Sequence, residues 1–113
     1  MKLIKAYIRH RKSVDVHKAL SKAGFCCMTF VECEGTGNYS DKEAEHISDK
    51  YPSTNAFRVI KLEIVVSDNH VQQVIDIIKI NGRTGYSGDG LILVSTVDEV
   101  YKVRTDETGL LAV

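Results

Sequence analysis

The chain opens on strict alternation. Over residues 2–9, Ile4, Ala6 and Ile8 share a side with Lys2, while Leu3, Lys5, Tyr7 and Arg9 share the other, which predicts a strand. The period then changes. Ser13 is a suitable N-cap, and Val16, Ala19, Leu20 and Ala23 follow at i, i+3, i+4 and i+7, predicting an amphipathic helix that Gly24 ends as its C′ residue. Residues 25–34, rich in Phe, Val, Thr and Cys, read as a second strand. Over 58–66, Ile60, Leu62, Ile64 and Val66 alternate with Val59, Lys61, Glu63 and Val65, giving a third strand. Asp68 is placed to cap a second helix carrying Val71, Val74, Ile75 and Ile78, closed by Asn81-Gly82. Leu91–Ser95 is a short apolar strand, and Val100–Thr105 reads as a last extended piece.

The order strand–helix–strand, long loop, strand–helix–strand predicts an α+β fold, the ferredoxin-like βαββαβ sandwich, as a single domain over 1–113. Both helices then lie on one face of the sheet. The other face, with Leu3, Tyr7, Val59 and Val65 or their opposite-parity neighbours, needs cover. Closing it with further copies of the chain predicts a homo-oligomer.

Composition narrows the function. Fifteen Lys+Arg balance fifteen Asp+Glu, so net charge is zero and there is no electrostatic footprint for nucleic acid. No apolar run approaches the ~20 residues of a membrane helix, and no signal-peptide core is visible. The three Cys, two of them adjacent, do not make a disulfide framework; a cytoplasmic, reducing setting is expected.

Three features carry candidate chemistry. Residues 35–57 show no sustained period, far beyond the usual loop of about 4–6 residues, and read as an arm that folds against a ligand or partner. Thr84-Gly85-Tyr86-Ser87-Gly88-Asp89-Gly90 is glycine-dense; converging amides in such a turn can bind anionic oxygens, although by spacing alone a tight structural turn is the better reading. It is neither a Walker A loop nor a dinucleotide-binding GxGxxG. Lys102 and Arg104 share strand parity, which predicts one basic face. Cys27 and Cys33 fall ~20 Å apart along a strand, too far for one metal, and read as buried inert thiols. No Ser-His-Asp or carboxylate-pair arrangement is present, so no enzyme is predicted and no catalytic residue named.

The letters also resemble a known family. Met1-Lys2-x-Ile4-x-Ala6-Tyr7-Ile8-Arg9, Ala19-Leu20 with Ala23-Gly24, Met28-Thr29, Gly35-x-Gly37, Lys61-x-Glu63-Ile64-Val65-Val66, Arg83-Thr84-Gly85-x-x-Gly88-Asp89-Gly90, Val97-x-Glu99-Val100 and Arg104-Thr105-x-Glu107 are similar to the PII nitrogen-regulatory signal-transduction family. The resemblance implies a cytoplasmic homotrimer that binds ADP, AMP or ATP, with or without Mg, in clefts between subunits. It also implies regulation of a membrane transporter or metabolic enzyme through a T-loop (35–57), with a B-loop at 83–91 and a C-terminal segment at 101–113. Carried over, Gly35 and Gly37 flank the nucleotide, and Gly88, Asp89 and Gly90 offer amides to the phosphates. Met28, Thr29, Glu63 and Val65 of a neighbouring subunit enclose adenine and ribose, and Lys102 and Arg104 reach phosphate across the interface. Tyr39, His46 and Tyr51 are the candidate partner contacts of the loop.

Several positions depart from the family pattern. Leu91 stands where a phosphate-gripping Lys is usual, which predicts relatively better binding of ADP or AMP. Asn38 and Tyr39 replace Arg and Gln after Gly-x-Gly, and Val59 replaces a Lys, with Arg58 adjacent. These changes argue against 2-oxoglutarate as second ligand and leave bicarbonate, another small anion or none. A metal- or bicarbonate-responsive trimeric regulator with a role outside nitrogen metabolism is the alternative, with Cys33 and His46 as the metal candidates.

Overall fold

A computed structural model describes residues 1–37, 45–50 and 56–113. Four strands, β1 (Lys2–Arg9), β2 (Thr29–Gly35), β3 (Phe57–Val66) and β4 (Leu91–Thr96), form one antiparallel sheet in the order β2-β3-β1-β4. Helices α1 (Ser13–Lys22) and α2 (Val71–Gly82) supply the two crossovers. This is the ferredoxin-like plan expected from the periodicities.

The helices cover the face that carries the even-numbered residues of β1 and β3. Ile4, Ala6, Ile8, Ile60, Leu62, Ile64 and Val66 are buried there against Val16 and Leu20 of α1 and Val74 and Ile78 of α2. The odd-numbered positions form the opposite face, with Leu3 opposite Val65, Lys5 opposite Glu63 and Tyr7 opposite Lys61. Leu3, Tyr7 and Val65 stay only half-buried, since among the described residues neither helix covers them.

The element ends depart from sequence expectation in instructive ways. Ser13 does not cap α1: a 3-10 turn, His10–Lys12, precedes the helix, and the Ser13 hydroxyl donates back to the His10 carbonyl at 2.8 Å. Asp68 likewise starts a 3-10 turn rather than capping α2, and its carboxylate holds the Met1 ammonium at 2.9 Å. Gly24 does end α1, at φ +97°, but Gly82 keeps helical geometry. It is buried, and a Cβ there would make only ordinary contacts with Val16 and Ile8, so neither chain reversal nor packing requires that glycine. β2 begins at Thr29, where its partner Glu63 stands; Phe25 and Met28 pack on the core without joining the ladder.

The extended piece predicted at Val100–Thr105 is not a strand. The chain folds back on itself: Gly109 N donates to Val100 O, Tyr101 bridges Thr108, and Lys102 N donates to Glu107 O. A hairpin of two rungs has the same alternation as a strand, and among the described residues no sheet edge takes it up.

Candidate functional site

Two glycine-bearing segments converge on a cavity of about 850 Å³, within the range of small-ligand pockets. One wall is the end of β2 and the start of the long loop, from Cys33 to Gly37, with Phe57 and Val59 of β3. The other is the turn Tyr86–Leu91, and Tyr7 and Ile8 of β1 lie between them.

The turn is built around one carboxylate. Asp89 Oδ2 accepts the amides of Thr84 (2.9 Å) and Gly85 (2.8 Å), while Oδ1 accepts the Thr84 hydroxyl (2.5 Å) and Arg9 Nε (2.9 Å). Arg9, only 5% exposed, also donates to the Ser87 carbonyl at 2.7 Å. Burial pushes the Asp89 carboxyl up, but hydrogen bonds from Thr84, Arg9 and the two amides outweigh it and hold the group well below the usual carboxylate range. Gly85, Gly88 and Gly90 all take positive φ. At Gly90 a Cβ would sit 1.7 Å from the Tyr7 carbonyl oxygen, so the turn lies directly on β1. With Asp89 occupied internally, the Ser87 and Gly88 amides find no acceptor among the described residues, which is the donor arrangement an anion requires.

The opposite wall is held differently. A Cβ at Gly35 would meet the Phe57 ring at 2.8 Å, so the glycine leaves room for that ring. Glu34, at the rim, accepts hydrogen bonds from His46 Nε2 (3.1 Å) and the Ser48 hydroxyl, which hold its carboxyl below the ordinary range. His46 also pairs with Ala56 through both backbone bonds, 2.7 and 3.0 Å. Residues 45–50 therefore return to the cavity rim. Tyr39 and Tyr51, the other candidate partner contacts, lie outside the described residues, as do Asn38 and the loop positions 41–44.

The remaining expected site residues do not reach this cavity. Thr29 and Glu63 face each other across β2 and β3, and Val65 follows on β3. Val65 is six residues from Val59, about 20 Å at the rise of a strand. It borders a second pocket of about 360 Å³ with Cys26, Cys27 and His70. One chain thus holds Gly35, Gly37, Gly88, Asp89 and Gly90 at one end, and Met28, Thr29, Glu63 and Val65 at the other.

Lys102 and Arg104 do not share a strand face, because the hairpin turns between them and Glu107; Lys102 Nζ instead meets the Glu107 carboxylate at 3.1 Å. Arg58 does not stand in for a cation at the Val59 position: it faces away from the cavity, onto Glu32 (3.1 Å) and His10 (3.0 Å).

The cysteines also correct expectation. Cys27 is exposed rather than buried, Cys33 is intermediate, and Cys26 is exposed beside Cys27. His46 folds back onto Glu34, while the Cys33 thiol donates to the Val59 carbonyl at 3.4 Å. The described residues contain no group of three or more His, Cys, Asp or Glu placed to hold a metal. No helix among them is long and apolar enough to cross a membrane.

Arg9 and Glu34 were not legible as site residues. Arg9 looked like one more polar position in an alternating strand, and no local signal links it to a turn 80 residues later.

The architecture defines a ferredoxin-like domain with a cavity between a pinned glycine turn and the base of a long loop. The family model for nitrogen regulatory protein P-II matches residues 1–107. A nitrogen regulatory protein P-II of Rhizobium meliloti is 36% identical across the whole of both chains, and that of Nostoc punctiforme is 38% identical, again over the whole of both. A nitrogen fixation nifHD region GlnB-like protein of Methanothermobacter marburgensis is 39% identical over 97% of this chain and all of its own length. The chain belongs to the P-II family of nitrogen regulatory proteins and is a PII-like signalling regulator.

Proposed function

We propose that this regulator binds an adenine nucleotide in the cavity between the two glycine segments and passes its occupancy to a transporter or enzyme through the loop at 35–57. The observation that carries the reading is that one cavity touches both the Ser87 and Gly88 amides and the loop base, Gly35 to Gly37. A phosphate chain on the amides therefore lies beside the segment from which the loop departs. The donor set fits the group: main-chain amides bind phosphate without a cation, and about 850 Å³ accommodates a mononucleotide.

The proposed assembly is a homotrimer. A single chain keeps Thr29, Glu63 and Val65 about 13–20 Å from Val59 along β3, so a second copy has to bring them to the nucleotide. The half-covered sheet face with Leu3, Tyr7 and Val65 is the surface such copies would bury. In this reading Lys102 and Arg104 come from that neighbour and offer charge to the phosphates.

Ligand preference follows from Leu91. It is 61% exposed at the cavity wall and brings no charge to a terminal phosphate. A hydrogen bond to a charged group contributes about 1.5–3 kcal/mol, so its absence removes about tenfold to a hundredfold of affinity. ADP and AMP are therefore favoured relative to ATP.

Calorimetry with AMP, ADP and ATP, with and without Mg, combined with sedimentation, tests the reading. One nucleotide per chain on a trimer is expected. A monomer, or absence of binding heat at millimolar nucleotide, overturns it.

A further inference from the structure

Cys26 and Cys27 stand between α1 and β2, both exposed, with their sulfurs 2.7 Å apart. Residues 25–28 belong to neither helix nor strand, and the next two residues are Met28, packed on the core, and Thr29, the first of β2. The pair borders the smaller pocket together with Val65. The thiol of Cys27 is raised, chiefly by its hydrogen bond and charge interaction with Cys26, while the charge of Lys102 acts in the opposite sense. The dithiol adjoins Met28, Thr29 and Val65, which belong to the half-site proposed above to meet a neighbour's nucleotide.

Adjacent residues have Cα atoms ~3.8 Å apart, closer than the ~4.4–6.8 Å that a disulfide normally spans. A bond between neighbours therefore twists the backbone and is reduced more readily than a structural disulfide. Strain of that kind suits a reversible site. It also falls on residues that no ladder or helix hydrogen bond holds in place.

We propose that Cys26 and Cys27 form a reversible thiol–disulfide site, oxidised by a low-molecular-weight disulfide, whose closure re-aims Met28 and Thr29 and weakens nucleotide binding. The coupling rests on the nucleotide reading; the closure does not. The Cys26 thiol loses its proton to solvent, and the thiolate attacks one sulfur of the external disulfide, releasing the first thiolate. That leaving group takes the proton of Cys27. The Cys27 thiolate then attacks the Cys26 sulfur and expels the second thiolate, which is protonated by solvent. The two protein thiols are oxidised and the external disulfide is reduced to two thiols.

The full chain, incubated with oxidised or reduced glutathione, separates the claims. Mass measurement and peptide mapping are expected to show loss of two hydrogens within the 25–29 segment, with Cys33 still free to alkylate. ADP affinity by calorimetry is expected to fall about tenfold on oxidation, to return with reductant, and to become insensitive to glutathione in both Cys26→Ser and Cys27→Ala. A pair that stays reduced, or carries only glutathione adducts, overturns the site. A closed pair with unchanged ADP affinity overturns the coupling. Failure of the reduced chain to bind any nucleotide overturns the nucleotide reading and the coupling with it, and the mass result still decides the closure.

Discussion

Gly90 and Gly37 face the same cavity in similar conformations, φ +108° and +131°, yet the fold holds them by opposite means. A Cβ at Gly90 would run into the Tyr7 carbonyl, whereas at Gly37 it would meet nothing within 4 Å. The turn around Gly90 is clamped by Arg9 and Asp89 beneath it; the loop base is tied, among the described residues, by the ladder pair Gly35–Phe57 and at its rim through Glu34, His46 and Ser48. One wall of the cavity is therefore anchored on β1. The other is a surface that a ligand can organise. The asymmetry sets a wall anchored on a strand beside the segment from which the long loop departs.

Substitutions on the two walls should separate accordingly. Gly90→Ala is expected to have the largest effect, costing about 3 kcal/mol or more from overpacking against β1 added to backbone strain. Urea unfolding reads it directly, and a midpoint near that of the parent chain would mean that the turn does not rest on β1.

Asp89→Asn should come next, at about 2 kcal/mol, because it removes the charge that Arg9 Nε meets at 2.9 Å, tempered by the partial exposure of Asp89. It carries a pH signature. The folded-state carboxyl of Asp89 is held below its unfolded value, so its contribution is complete above about pH 4 and is lost as pH falls towards the folded-state value. The variant should show a shallower loss of stability with acid than the parent. Parallel acid-unfolding curves would remove Asp89 as the keystone of the turn.

Leu91→Lys acts on the ligand rather than on the fold. It should raise ATP affinity about tenfold or more relative to ADP, with little change in the urea midpoint, since Leu91 is largely exposed. Equal gains for ATP, ADP and AMP in calorimetry would show that position 91 does not meet a terminal phosphate.

Gly37→Ala should have the smallest effect, about 1 kcal/mol of backbone strain. Because nothing packs there, the loss should be read in ADP affinity, about fivefold, and not in unfolding. A stability loss as large as that of Gly90→Ala would erase the distinction between the two walls.

Much of the cavity was legible as chemistry but not as geometry. Three glycines in the 84–90 turn and Gly37 at the loop base announced backbone conformations that side chains resist, and a family resemblance paired the two segments. What no local pattern contained was the clamp. Arg9 obeys strand alternation and Asp89 reads as a turn residue, so their ion pair exists only because β1 runs beneath the turn. The Glu34–His46–Ser48 ties depend in the same way on where the chain returns after a long excursion.

Four strands, both helices and the buried face of the sheet were readable from the residue pattern alone, because period-2 and period-3.6 patterns are set by local geometry and by which residues avoid water. The pattern misplaced the helix starts and the piece after Val100. A capping side chain can be drawn to the chain's own ammonium or to a carbonyl behind it, as Asp68 and Ser13 are. Alternation, likewise, does not say whether a strand finds a sheet edge or folds onto itself. Tertiary structure alone decided the cavity, the burial of Arg9, the exposure of the adjacent cysteines and the direction in which Arg58 points. Each of these follows from contacts between segments far apart in the chain, which local propensity does not encode.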